Sequence, residues 1–147
     1  MYAKAKQYIG AGSIVLGSGI FKMQLHRTSA SATILVLSTR SVSTSIAAQI
    51  SATGGWTTGG QTIPATKWTV GASAKVYKFT YTTAGLIITA SNSSLNNIRY
   101  ALVRNSTSAT GGKVLCFVTL STAAFTINSG STLTIGPNAT GGVFALS

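Results

Sequence analysis

Aspartate and glutamate are absent from this chain, which carries eleven lysines and arginines. No side-chain carboxylate can therefore neutralise a cation from within, act as one half of an acid–base pair, or ligate a hard metal ion. Cys116 is the only cysteine, so an intrachain disulfide is excluded and packing alone must hold the fold. His26 is the only histidine, and with it the only side chain that ordinarily titrates near neutral pH. Long apolar runs are missing too. The strongest, Ala32 to Leu37, falls far short of the ~18 residues of a membrane span. The basic Met1-Tyr-Ala-Lys-Ala-Lys6 start is followed by Tyr8 to Leu16, too interrupted by glycine for the apolar region of a signal peptide. These absences predict a protein folded in a reducing cytoplasm.

Charged residues make up 7% of the chain, against roughly 25% in an ordinary soluble domain. The surface must then be made polar by Ser, Thr, Asn, Gln and Gly. A net charge of +11 acts repulsively on the compact state unless an outside anion relieves it. An acidic partner is expected to supply that anion.

Apolar residues at 45% of 147 are ample for one core, so the expectation is a single domain spanning 1–147 with a short flexible N-terminal arm. Clusters of Gly with Ser, Thr and Asn punctuate the chain: Gly17-Ser-Gly19, Thr53 to Gly60, Ala84-Gly85, Ser108 to Gly112, Asn128 to Ser131 and Pro137 to Gly142. Such clusters mark turns, because glycine accepts positive φ and the short polar side chains bond to nearby backbone. Thr-Gly-Gly occurs four times at irregular intervals, which speaks for shared turn chemistry and against a solenoid repeat.

Between the turns lie short segments of strand-forming residues. They are Ile20–Leu25, Thr33–Leu37, Gln61–Val70, Lys75–Tyr81, Leu86–Ala90, Ile98–Arg104, Lys113–Leu120, Ala124–Ile127, Thr132–Ile135 and Val143–Leu146. Alternation in Lys75–Tyr81 sets Tyr77, Phe79 and Tyr81 on one face. Strands at roughly ten-residue spacing predict an all-β fold, an antiparallel β-sandwich of jelly-roll-like kind. Val42, Ile46 and Ile50, spaced by four, also permit one short helix near residues 41–50.

The usual chemistries find no set of residues. A Ser-His-acid triad lacks its acid, and Gly-x-Ser-x-Gly does not occur. A Cys116–His26 dyad is conceivable, although Cys116 alternates with Val114 and Val118 like a buried small residue. One His and one Cys cannot build a zinc site within the chain. Gly111-Gly-Lys-Val114 lacks the spacing and the hydroxyl residue of a phosphate loop. Neither an enzymatic activity nor a cofactor is expected. Lys75, Tyr77, Lys78, Phe79 and Tyr81 would suit a base-stacking sheet, but three aromatics on one strand face equally describe core.

Gly54-Gly-Trp-Thr-Thr-Gly-Gly-Gln-Thr62, then Thr66-Lys-Trp68, Ile98-Arg-Tyr-Ala-Leu-Val103 and the closing Asn138-Ala-Thr-Gly-Gly-Val-Phe-Ala-Leu146, resemble in their order a family of small tailed-bacteriophage virion proteins. Phe21-Lys-Met-Gln-Leu25 resembles that family's first long strand. The resemblance implies a β-sandwich virion component, a capsid decoration or cement protein on the particle's exterior, made in the host cytoplasm. The sequence departs from the family where Arg104, Asn105 and Asn138 stand in territory usually acidic. On this reading the partner is the major capsid protein or another acidic virion surface. A homodimer across a capsid axis is expected from apolar edge strands. The candidate contacts are Lys4 and Lys6 on the arm, with Arg27 and Arg40 flanking Thr33–Leu37. Two alternatives remain: a tail or neck component of the same particle, and a basic nucleic-acid-binding module.

Overall fold

The computed structural model describes residues 1–35, 41–71, 76–106 and 112–146. An N-terminal helix α1 (Ala3–Gly10) precedes β1 (Phe21–Arg27) and a helical turn α2 (Ser31–Ile34). Nine further strands follow among the described residues: β2 (Gln61–Thr62), β3 (Lys67–Val70), β4 (Tyr77–Thr80), β5 (Leu86–Thr89), β6 (Leu95–Asn105), β7 (Val114–Thr119), β8 (Phe125–Ile127), β9 (Thr132–Ile135) and β10 (Phe144–Leu146). Every strand pair is antiparallel, so the expected all-β class holds.

The largest sheet runs β2-β1-β6-β7, and β8 takes the stretch of β6 that β7 leaves free. β6 is its spine. β1 pairs along nearly its whole length, from Phe21 opposite Asn105 to Arg27 opposite Ile98. On its other side β7 pairs with Tyr100 to Arg104 and β8 with Leu95 and Ile98. Tyr100, Ala101, Leu102 and Val103 are consecutive and all buried. Successive residues face opposite sides of a strand, so burial of all four means that both faces of the sheet are covered.

On one face Phe21, Met23, Leu25, Ala101, Val103 and Cys116 join residues of the two smaller sheets, β10-β4-β3 and β5-β9, in a single apolar cluster. The Phe21 and Phe79 rings meet edge to face at 4.7 Å between centroids. The other face carries Tyr100 and Leu102 and packs against Tyr2, Ala5, Ala30, Ile34 and Ile46.

Three expectations are corrected on that second face. The N-terminal residues are no trailing arm: the Tyr2 N–H donates to the Leu115 carbonyl at 3.0 Å, and its hydroxyl to the Ile34 carbonyl at 2.7 Å. Amphipathic burial explains this, since Tyr2 and Ala5 are buried while Lys4, Lys6 and Gln7 stay exposed. Thr33–Leu37 does not begin as a strand. It opens inside α2, and residues 36–40 lie outside the described ones. Residues 41–50 form no α-helix either, only a 3-10 turn at Ser43–Ser45 between extended residues. There Val42 bridges Lys113 and Gln49 bridges His26, a strap crossing the sheet from β7 to β1. The strand edges offer backbone partners: Ser43 N–H reaches the Gly112 carbonyl at 2.9 Å, and Ile50 N–H reaches Leu25's at 2.9 Å. Ser, Thr and β-branched residues are poor helix formers that lose little by choosing this path.

Tyr2→Phe tests how firmly α1 is tied down. The change removes a buried hydroxyl and leaves the Ile34 carbonyl without its donor. The expected loss is about 1–2 kcal/mol, read as a lower urea midpoint at unchanged slope.

Candidate functional site

Lys22, Gln24 and His26 project from β1 on the strapped face, alternating with Phe21, Met23 and Leu25. Across the ladder Lys22 stands opposite Arg104, Gln24 opposite Leu102 and His26 opposite Tyr100. Two cations facing each other across an antiparallel pair repel. With no acidic side chain in the sequence, no side-chain carboxylate can neutralise either of them.

Arg104 is held in place by neutral oxygen. Its Nε and Nη2 both donate to the Gly59 carbonyl, at 3.1 and 2.9 Å. Partial burial pushes its pKa below the ordinary guanidinium range, and a guanidinium keeps its charge in any case at physiological pH. Gly112, at φ +63°, presses against the guanidinium where a Cβ would collide with Nη1. Two glycines distant in the chain thus meet one arginine: Gly59 supplies its carbonyl, and Gly112 lies against the guanidinium.

Beside Arg104 a cavity of about 350 Å³ opens, lined by Gln24, Ser43, Thr44, Gln49 and Thr58 among others. Gln24 is only 3% exposed. Its Nε2 donates weakly to Gln49 Oε1 at 3.4 Å, while Gln24 Oε1 and Gln49 Nε2 are buried with no partner. The paired amides therefore leave one buried acceptor and one buried donor unpartnered next to a fixed positive charge. Thr58 Oγ1 accepts from the Ala52 N–H at 2.9 Å, which leaves its own hydrogen to donate.

A wider cavity of about 570 Å³ is lined by Lys67, Lys78, Thr80, Tyr81 and Asn138. Lys78 Nζ already donates to the carbonyls of Ala139 and Thr140, at 3.0 and 3.3 Å, and Lys67 is exposed to water. The tyrosine hydroxyl is also occupied, donating to the Ile135 carbonyl at 2.6 Å. Its polar groups are therefore largely satisfied within the chain, and the Arg104 cavity is the better site.

The residues singled out by sequence do not gather. Lys4 and Lys6 lie exposed on α1, where Lys4 Nζ donates to Gln7 Oε1 at 3.0 Å. Arg27 ends β1 half-buried, with its Nε unpartnered. Arg40 lies outside the described residues, as does Lys75. Phe79 and Tyr81 are buried, so the aromatic face of β4 is largely core; Tyr77 stays 45% exposed and stacks on Trp68 at 5.9 Å. Cys116 and His26 occupy opposite faces of the sheet and cannot form a dyad: Cys116 pairs with Val103 on the Met23 side. Burial pushes the Cys116 thiol up to about 12, outweighing the opposing effect of the N-terminal charge. Among the described residues no three His, Cys, Asp or Glu side chains come together to hold a metal ion.

Sequence reading missed Lys22, Gln24 and Gln49. The available signal was the alternation of Lys22, Gln24 and His26 with apolar neighbours, which marks a polar strip on a strand otherwise buried.

No family model matches this chain, and neither a curated protein nor a solved structure is similar enough to it to count as a relative. No helix among the described residues is long and apolar enough to cross a membrane.

Proposed function

We propose that this chain is a structural virion protein of the capsid decoration type, which binds an acidic shell and bridges its subunits. The observation that carries the reading is the Lys22–Arg104 pair, two cations held opposite each other in a chain without one acidic side chain. The order of motifs that resembles small tailed-phage virion proteins supplies the compartment. In the structure these motifs become a turn closed by buried Trp56, the strand bearing Trp68, the central strand β6 and the closing β10. Packing of the two smaller sheets on one face of the large one supports a sandwich. Self-pairing would use β3, an edge strand whose Val70 is half exposed beside Tyr77.

Produced together with the shell protein of its phage, the chain is expected to sediment with assembled shells at 0.1 M salt. It is expected to be substantially released at 1 M, as the screening length falls from about 10 to about 3 Å. Recovery on tails instead of shells, or on DNA but not on shells, would overturn the reading. Retention on shells at 1 M salt would overturn its electrostatic part.

A further inference from the structure

We propose that the cavity lined by Arg104, Gln24 and Gln49 seats a single carboxylate side chain presented by an acidic protein partner. This rests on the acidic-partner reading above and names the place where that partner is gripped.

Three properties of the cavity choose this ligand. The first is charge: Arg104 lines the cavity and stands across the ladder from Lys22, and an anion bound at its guanidinium offsets the repulsion between them. The second is preorganisation. The Gly59 carbonyl takes Nε and one N–H of Nη2 and so locks the guanidinium plane, leaving further N–H groups to meet the forked oxygens of a carboxylate. Gln49 Nε2 and the Thr58 hydroxyl add neutral donors from the strap and the Thr-Gly-Gly turn.

The third property is the leftover acceptor, and it separates protein from nucleic acid. Gln24 and Gln49 always leave one amide oxygen open, because turning both amides over merely transfers the open oxygen from one to the other. A phosphodiester group brings only acceptors and leaves that oxygen to water. An aspartate or glutamate within a peptide brings a carboxylate together with main-chain N–H donors. At about 350 Å³ the cavity has room for one acidic side chain together with some water.

The test is an NMR titration of the full ¹⁵N-labelled chain, following the Arg104 Nε–H and the Gln24 and Gln49 side-chain NH₂ signals. The probes are acetyl-glutamate methylamide, its glutamine counterpart, inorganic phosphate and a short thymidine oligonucleotide. The glutamate compound is expected to move all three sets of signals saturably, and the glutamine compound to leave them in place. Arg104→Gln is expected to weaken that binding about tenfold or more. Gln49→Leu, on the strap and away from the β6 ladder, is expected to weaken it severalfold, and it keeps the question open to test if Arg104→Gln fails to fold. Shifts confined to Lys4 and Lys6 would overturn the site. Equal binding of phosphate or the oligonucleotide at the three side chains would overturn its specificity for a peptide carboxylate. A folded Arg104→Gln chain that still binds shells at full strength would remove the pocket and leave the shell reading standing. The converse, pocket signals that respond to glutamate in a chain absent from particles, would remove the shell reading alone.

Discussion

Gly60→Ala is expected to destabilise the fold by about 3 kcal/mol, whereas Gly130→Ala is expected to cost only about 1 kcal/mol. Both glycines have φ of +86°, a left-handed value that strains an alanine at either position. Their surroundings differ. A Cβ on Gly130 meets nothing within 4 Å, while one on Gly60 would drive into the Met23 carbonyl, with its carbon at 2.7 Å and Gln24 Cγ at 2.9 Å. Strain alone accounts for about 1 kcal/mol, and forcing an extra methyl against backbone adds about 2 kcal/mol. In thermal unfolding Gly60→Ala should melt about 10 °C lower than the parent chain. Equal losses at the two sites would show that the turn at Gly60 simply moves away. The result bears on the site, because Gly60 follows the carbonyl that holds Arg104. A shift of that turn should also weaken any ligand gripped there.

The second large effect is on pH. In most proteins acid unfolding reflects many carboxylates, and here there are no side-chain carboxylates at all. His26 is left as the one side chain that titrates in the mildly acidic range. It is fully buried, its Nδ1–H donates to the Ala47 carbonyl at 3.0 Å, and its Nε2 has no partner. Burial pushes its pKa below the ordinary 6.5, only partly offset by that hydrogen bond. Gln24, Gln49 and Tyr100 are its polar neighbours on the ladder or strap, and the nearest cations along β1, Lys22 and Arg27, could only lower it further.

The sign follows from proton counting. Below pH 6.5 the unfolded chain takes up a proton that the folded chain refuses, so stability is complete above 6.5 and falls as pH drops toward the folded value. Chemical unfolding measured between pH 7 and 4.5 should show stability falling with pH, at a slope bounded by one proton, about 1.4 kcal/mol per pH unit. His26→Gln, whatever its own stability, is expected to give a flat profile over that range. A parent profile already flat there would mean that His26 charges without cost. At the alkaline end Tyr81 and Cys116, both pushed up to about 12 by burial, favour the folded chain while they stay neutral. Stability should then decline once the unfolded thiol and phenol ionise, above about pH 9. The expected plateau lies between roughly pH 6.5 and 9.

Local chemistry made much of the fold legible. Thr132–Ile135 is a strand over the expected residues, and the other strands from Leu86 onward differ from expectation by only a few positions at their ends. Short apolar segments with strand-forming side chains have few other ways to bury themselves. Gln61–Val70 was less faithful: it splits into β2 and β3 around Pro64 and Ala65, the latter at φ +47°. Proline lacks the N–H that a continuous strand would need there. The aromatic alternation in β4 proved correct about the faces, and burial of Phe79 and Tyr81 decided in favour of core. The expected helix at 41–50 and strand at Thr33–Leu37 failed for one shared reason. Ile34 of the one and Ile46 of the other pack on the second face of the large sheet, where strand edges and Tyr2 compete for the backbone.

What the sequence determined by itself is a matter of inventory. The absence of acids, the single thiol, the single imidazole and the turn glycines hold in any conformation; the turn glycines led to the all-β class, and the missing acids to the proposal of an acidic partner. Only tertiary structure placed Lys22 opposite Arg104, separated Cys116 from His26 by the thickness of a sheet, and brought the Gly59 carbonyl to the guanidinium. Those are contacts between segments distant in the chain, and strand register sets them. A shift of one residue would turn every side chain of β1 to the other face. The register is held by burial on both faces at once, a condition that exists only after the sheet has formed.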